Sequence, residues 1–460
     1  MSLINQEGLK NYLAFIIPIV SLTAIGFVLN IEKAKNSKML ARDGIVIVGL
    51  TWIIMAVFGA LPFIISKENP NFFDAFFEMG SGFTTTGASI LDDPTKLSKS
   101  MMFWRSFSHF LGGMGVLVLI LAIIPESKEG SSLHILKAES PGPQVGKLVS
   151  KMQVTSRILY LMYIGLSLIQ FLLLWLGPDN KMTLFNSLIY TFGTAGTGGF
   201  AIHAYSIETF SMYSQYVIAI FMILFGINFS MFYFILIKNF KEIWKNDEIK
   251  MYFVILFASI TIICFNTYSI YNNVELTFRN ALFQVASIIS TTGYSTTNFD
   301  EWPTLSKTII ILLMFTGACA GSTAGGLKLS RINILFKSAI KKIKGMIFPR
   351  KVESIYIDGK PVTDEAIDSV HGYVFIYALV LIGCALLISV DGHDLETNFT
   401  ASLACLNNIG PGLSKVGPYG SFSFFSNFSK FILSFEMIAG RLELFPILLL
   451  FNPKTWSKSK

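Results

Sequence analysis

The segments Thr85-Thr86-Gly87-Ala88, Thr197-Gly198-Gly199-Phe200, Thr292-Gly293-Tyr294 and Asn408-Ile409-Gly410-Pro411-Gly412 each close a short apolar stretch set between two longer apolar runs. The short stretches fall near 72–84, 183–195, 275–290 and 394–407, under the roughly 20 residues that cross a bilayer as a helix. Runs that do reach that length lie near 12–31, 44–65, 103–124, 158–177, 213–237, 251–271, 307–330, 372–390 and 430–451. The plan is spanner, half-helix, glycine loop, spanner, written four times after one leading helix. Gly87, Gly198, Gly293 and Gly410 are 111, 95 and 117 residues apart; identity between the copies is weak, so the shared plan defines the repeat. Four such units build an ion-selective pore in one polypeptide, and permeation of a small cation is the expected function.

Composition agrees. Of 460 residues, 52% are hydrophobic and 14% charged, with a mean hydropathy of +0.58. A soluble domain carries about 25% charged residues, so a multi-span membrane protein is the class that fits. The run near 12–31 exceeds the roughly 7–15 residues of a signal-peptide core and reads as a retained helix. Cys264, Cys319, Cys384 and Cys405 lie in or beside apolar runs, which points to buried thiols rather than a disulfide framework.

The net charge of +7 is distributed by topology rather than gathered for nucleic acid. Loops 32–42, 125–157, 238–250 and 328–360 hold 4, 5, 4 and 9 Lys or Arg, and the tail after Pro453 holds three more. The side carrying the N-terminus and all four glycine loops holds ten. By the positive-inside rule the glycine loops face outward and the C-terminus lies in the cytoplasm. Each repeat crosses twice, so the copies are parallel about an axis normal to the bilayer, unlike the inverted copies of many secondary transporters. The expected fold is an all-α membrane protein: four parallel helix–pore-loop–helix repeats around a central pore, plus a leading transmembrane helix. Its segments are 1–42 (leading helix and basic loop), 43–150, 151–247, 248–360 and 361–460.

Glycine suits such loops because carbonyls that replace the hydration shell of a bare K⁺ must turn toward an axis, and the backbone angles required penalise a residue with a Cβ. Irregular backbone at membrane depth survives where it lines a cavity or is buried in protein. The half-helices would aim the negative ends of their dipoles at the pore, favouring a cation. Thr84, Thr85, Thr86, Thr197, Thr291 and Thr292 are candidate helpers in coordination, while the fourth loop carries Asn407-Asn408 instead. A single loop of this kind reads equally well as a helix C-cap; four at matching places favour a filter. The expected filter residues, with potassium bound at them, are Thr85, Thr86, Gly87, Thr197, Gly198, Thr292, Gly293, Ile409 and Gly410.

Two further features stand apart. Gly317-Ala318-Cys319-Ala320-Gly321-Ser322-Thr323-Ala324-Gly325-Gly326 interrupts the seventh run with four glycines in ten residues, each worth about 0.5–1 kcal/mol against helix relative to Ala. It reads as a flexible gate, with small-residue helix packing as the alternative; Gly317, Gly321, Ser322, Thr323, Gly325 and Gly326 are its candidate residues. Arg441 lies within the last run, where an arginine costs at least about 2.5–3.5 kcal/mol and faces a cavity or a partner. It reads as a positive barrier in the ion path, the alternative being a structural ion pair with Glu436, Glu443 or another helix. Asp74 and Glu78 are candidates for concentrating cations at the outer mouth or for a hydrogen-bonded structural role. The five histidines show no ligand spacing and read as packing or solvated residues. No Walker loop, nucleophile elbow or metal motif occurs, so neither enzyme nor bound cofactor is expected.

At these residues the chain resembles the Trk, Ktr and HKT superfamily of potassium transporters, and most of all its TrkH branch. The marks span nearly the whole chain: Ala41-Arg42-Asp43-Gly44, Asp74-Ala75-Phe76-Phe77-Glu78, the four glycine loops, Lys137-Ala138-Glu139-Ser140-Pro141-Gly142-Pro143, Cys319-Ala320-Gly321-Ser322-Thr323 and Gly440-Arg441-Leu442-Glu443. The resemblance implies filter glycines at Gly87, Gly198, Gly293 and Gly410, a gating loop over Gly317–Gly326 and a pore arginine at Arg441. It also implies a homodimer with one pore per protomer in the bacterial plasma or inner membrane. A cytosolic ring of TrkA-type subunits would regulate it, with nucleotide bound on those subunits and docking at the loops 125–157 and 328–360. Members of the branch carry two helices before the first repeat, where one is found here. The competing reading is a Na⁺- or H⁺-coupled potassium symporter, for which inverted repeats and an intramembrane acid or His relay would be expected.

Overall fold

A computed structural model of the chain describes residues 1, 7–31, 41–115, 152–350 and 353–456. The fold is helical; among the described residues the strands are the two-residue pair Tyr356–Ile357 and Lys360–Pro361. Asp358 and Gly359 turn that hairpin with positive φ, as a two-residue type I′ loop requires. The Asp358 carboxylate accepts the Asp247 N–H at 2.7 Å, fixing the hairpin to the start of a long helix.

Five helices among the described residues are long and apolar enough to span a membrane: Leu9–Ile31, Arg42–Ser66, Val154–Trp175, Asp247–Tyr271 and Asp364–Asp391, with mean hydropathies of 2.0–2.6. Their outward faces carry Phe27, Leu161, Phe265 and Leu386 at 69–83% exposure. Apolar surface on that scale belongs against lipid. Leu9–Ile31 leads, and each of the other four is followed by a half-helix: Phe72–Phe83, Leu184–Ala195, Val274–Ile289 and Leu395–Leu406. Asn71, Thr183, Asn273 and Asp394 cap the half-helices by accepting a backbone N–H two or three residues on. These caps satisfy donors that begin every helix unpaired.

A second helix follows each half-helix: Lys99–Gly113, Met212–Phe225, Thr304–Phe315 and Asn427–Arg441. Here the structure corrects the sequence reading. The run 213–237 is not one continuous helix: the chain bends by 93° between Met212–Phe225 and Phe229–Leu236, with Asn228 capping the second piece through the Ser230 N–H at 2.9 Å. The run 430–451 breaks after Arg441, where Glu443 and Leu444 take φ of 53° and 67°. The run 307–330 breaks after Phe315, as its glycines led one to expect. Residues 116–124 of the run 103–124, most of the loop 125–157 and the segment Lys137–Pro143 lie outside the described residues.

Candidate functional site

All four half-helices end in the same turn. The Thr86 N–H returns to Ser81 O at 2.9 Å, Gly198 to Gly193 O at 2.8 Å, Thr292 to Ser287 O at 2.8 Å and Ile409 to Ala404 O at 2.9 Å. The preceding residues, Thr85, Thr197, Thr291 and Asn408, are left-handed with φ of 54–57°. This is the long bond of a Schellman cap, yet the left-handed position holds Thr or Asn where glycine is the usual occupant. Each such residue costs about 1–2 kcal/mol, and strain of this kind concentrates where backbone geometry has a task.

Two residues beyond each left-handed position stand Gly87, Gly199, Gly293 and Gly410, with φ of 82°, 72°, 83° and 98°. This register corrects one assignment. Gly198 stands level with Thr86, Thr292 and Ile409, while Gly199 takes the conformation of the other three ring glycines; alignment on the first glycine of the pair is out by one residue. A Cβ on Gly87 would collide with Gly198 O, on Gly199 with Thr292 O and on Gly293 with Ile409 O. On Gly410 it would lie 2.8 Å from Thr86 O. The contacts run from turn one to two, two to three, three to four and four back to one. The four turns thus close a ring of backbone, each glycine laid against a carbonyl of the next turn. Gly87, Gly199, Gly293 and Gly410 line one cavity of about 80 Å³, together with Asp92, His203 and Tyr419. The C-terminal ends of four half-helices, negative ends of their dipoles, meet at this ring.

Arg441 ties the ring to the broken helices. Its guanidinium donates to Thr85 Oγ1 at 3.1 Å and Thr323 O at 2.8 Å, and to the carbonyls of Gly112 and Gly113. The acids considered as its partners are engaged elsewhere: Glu443 pairs with Arg331, and Glu436 accepts Ser402 Oγ at 2.6 Å.

The glycine-rich break is held from every side rather than loose. Gly317 N–H bonds Leu327 O at 2.8 Å, Cys319 N–H bonds Gly226 O at 3.1 Å and Phe229 N–H bonds Gly321 O at 3.0 Å. The Glu248 carboxylate accepts Ala320 N–H at 2.8 Å and Ser330 N–H at 2.9 Å. Gly325 N–H donates to Thr291 Oγ1 at 2.8 Å, and Gly326 abuts Gly317. Thr323, Gly325 and Gly326 therefore lie with the ring and Arg441, whereas Gly321 lies against Asn228 and the Ser322 hydroxyl donates to Cys319 O at 2.6 Å.

Neither acid considered for the mouth is free. Asp74 pairs with Lys430 at 2.7 Å. Glu78 is fully buried, paired with Arg105, and accepts Ile90 N–H at 3.0 Å and Ser89 Oγ at 3.1 Å. Arg105 continues to Ala201 O at 3.0 Å and lies 3.7 Å from the Phe200 ring centre. This pair joins the segment after turn one to the segment after turn two. Its sequence signal was an arginine inside an apolar run, the same signal that singled out Arg441.

The TrkH family, described as a cation transport protein, matches residues 12–458. The chain belongs to the TrkH family. It is 35% identical over 433 residues to the Trk system potassium uptake protein TrkH of Escherichia coli K12, covering 92% of this chain and 88% of that one. It is 32% identical to the potassium uptake protein TrkG of the same organism, covering 92% and 87%. The crystal structure of the potassium transporter TrkH from Vibrio parahaemolyticus superposes with a TM-score of 0.87 at 30% identity, covering 99% of this chain and 94% of that one. As a TrkH-family member the chain is a membrane transporter and not an enzyme.

Proposed function

We propose that the chain takes up potassium across the cell membrane through a gated, channel-like pore whose selectivity filter is the ring of four glycine turns. The observation that carries this reading is the closed cycle of glycine-to-carbonyl contacts, a cage of backbone oxygens at the meeting point of four half-helix dipoles. Relatives named as potassium uptake proteins supply the ion. Thr85, Thr86, Gly87, Thr197, Gly198, Gly199, Thr292, Gly293, Ile409 and Gly410 make up the filter. Arg441 and the break from Gly317 to Gly326 close the path beside it, the arginine holding that loop through Thr323 O. The glycine turns face outward and the C-terminus the cytoplasm, in keeping with the positive-inside bias. Two copies associate, and a cytosolic nucleotide-binding ring of the TrkA type acts on the basic segments 125–157 and 328–360. Purified protein in liposomes tests the core of this reading. Rb⁺ uptake blocked by K⁺ and indifferent to Na⁺ supports it; uptake that requires Na⁺ or H⁺ on the same side replaces it with coupled symport.

A further inference from the structure

Turns one and three are braced by a pair of hydroxyls, one on each side of the left-handed residue. Thr84 Oγ1 and Thr86 Oγ1 are 2.8 Å apart, and Ser290 Oγ and Thr292 Oγ1 are 2.7 Å apart. Turn four is braced by amides: Asn407 Nδ2 donates to Tyr377 Oη at 2.7 Å, and Asn408 Nδ2 donates to Thr86 Oγ1 and Met437 O, both at 2.9 Å. Turn two has Gly196 and Gly198 at the two hydroxyl positions and no side chain to offer at either. Both glycines abut one residue. A Cβ on Gly196 would collide with the His109 carbonyl, and a Cβ on Gly198 would fall within the His109 imidazole.

His109 comes from the second helix of repeat one and is fully buried. Its ring stacks on Phe200, the residue after the turn-two glycine, with centroids 4.2 Å apart and planes 26° apart. Neither ring nitrogen has a hydrogen-bond partner among the described residues. A buried imidazole without partners carries a desolvation penalty, so its place here is explained by shape rather than by polarity.

We propose that His109 is a positioning residue for ion selection: beside Gly198 its ring occupies the space that the Thr86 and Thr292 side chains fill in turns one and three, and so fixes the Gly198 carbonyl that meets Gly87. This rests on reading the ring of turns as the selectivity filter. It also accounts for the glycine at 198, where the equivalent positions hold Thr, Thr and Ile.

The test is the K⁺/Na⁺ permeability ratio of the full-length reconstituted protein in five variants, with thermal stability in detergent measured alongside. His109→Ala is expected to lower the ratio about tenfold, ~1.4 kcal/mol. His109→Phe, which keeps a flat ring without nitrogens, should stay within about twofold of wild type. Gly198→Thr alone should lose selectivity, and combining it with His109→Ala should recover most of it, because the threonine then fills the vacated space. An unchanged ratio in His109→Ala beside a lowered one in Gly87→Ser overturns the inference and leaves the filter reading standing. An unchanged ratio in both strikes at the filter reading itself. A His109→Phe ratio as low as that of His109→Ala overturns the shape argument. Should His109→Ala fail to fold, the Phe variant decides alone: a near-wild-type ratio supports the inference, and a collapsed one overturns it.

Discussion

Arg441→Ala is the substitution from which the gate reading has most to lose. The guanidinium holds four acceptors drawn from three places: Thr85 in turn one, Gly112 and Gly113 at the end of a second helix, and Thr323 in the break. Of these, the 2.8 Å bond to Thr323 O is the one that ties the arginine to the glycine-rich loop. A hydrogen bond to a charged group contributes about 1.5–3 kcal/mol. If that bond is made in the closed state and lost on opening, its removal shifts the balance toward open by about 10- to 150-fold. Removing the side chain also strands buried carbonyls, at about 1–3 kcal/mol each, so the protein becomes less stable while it conducts more. That opposite movement is the signature to look for. Tracer Rb⁺ influx into liposomes without any cytosolic partner, with the thermal midpoint measured on the same preparation, reads both. Arg441→Lys keeps the charge but offers one nitrogen in place of a planar fork, and should fall between wild type and Ala. Folded Arg441→Ala protein with unchanged or reduced influx would refute the reasoning.

Other outcomes follow from the same contacts. Glu78→Gln leaves Arg105 buried without its counter-charge, a change that costs about 3–5 kcal/mol; the thermal midpoint should fall sharply, and Rb⁺ selectivity with it, since the pair spans the segments after turns one and two. Gly325→Ala sets a Cβ 2.6 Å from Asn407 O and 2.8 Å from Asn408 Cβ, so the loop must shift and partner-free influx should rise, as it should on deleting residues between Gly317 and Gly326. At the exposed cap of the fourth half-helix, the Thr397 hydroxyl and N–H hold the Asp394 carboxyl below the usual range. Its folded value is the depressed one, so its contribution is present above the ordinary carboxylate range and lost as pH falls through the folded value. The thermal midpoint should be flat near neutrality and drop under about pH 4, and Asp394→Asn should remove that part of the acid sensitivity.

The half-helices were legible because each is a short apolar stretch that a glycine loop closes; the caps at Asn71, Thr183, Asn273 and Asp394, which set their starts, emerged with the structure. The outer spans were equally plain, since lipid-facing helices need long apolar runs and nothing else. What hydropathy hid was the breaks. Gly226-Ile227-Asn228 and Leu442-Glu443-Leu444 are three residues each, and a window long enough to detect a span averages them away; the cap signal of Asn228 after Gly226 was the available clue. The register of turn two was hidden for another reason. Gly198 and Gly199 are adjacent, and which one carries the positive φ depends on the bond from the Gly198 N–H to Gly193 O, which composition does not reveal. The pairing of Asp74 with Lys430 and of Glu78 with Arg105 joins residues far apart along the chain, beyond the reach of local pattern.

The central claim, that the ring of four glycine turns selects the ion, is tested most directly by voltage clamp of reconstituted protein under bi-ionic K⁺/Na⁺ conditions. Wild type is compared there with Gly→Ser variants at Gly87, Gly199, Gly293 and Gly410. The account predicts K⁺ current in pure potassium salt with no second ion present, and a reversal potential that moves toward zero in the variants as carbonyls are forced out of the ring. Current that requires a second ion, or discrimination unchanged in all four variants, would contradict it.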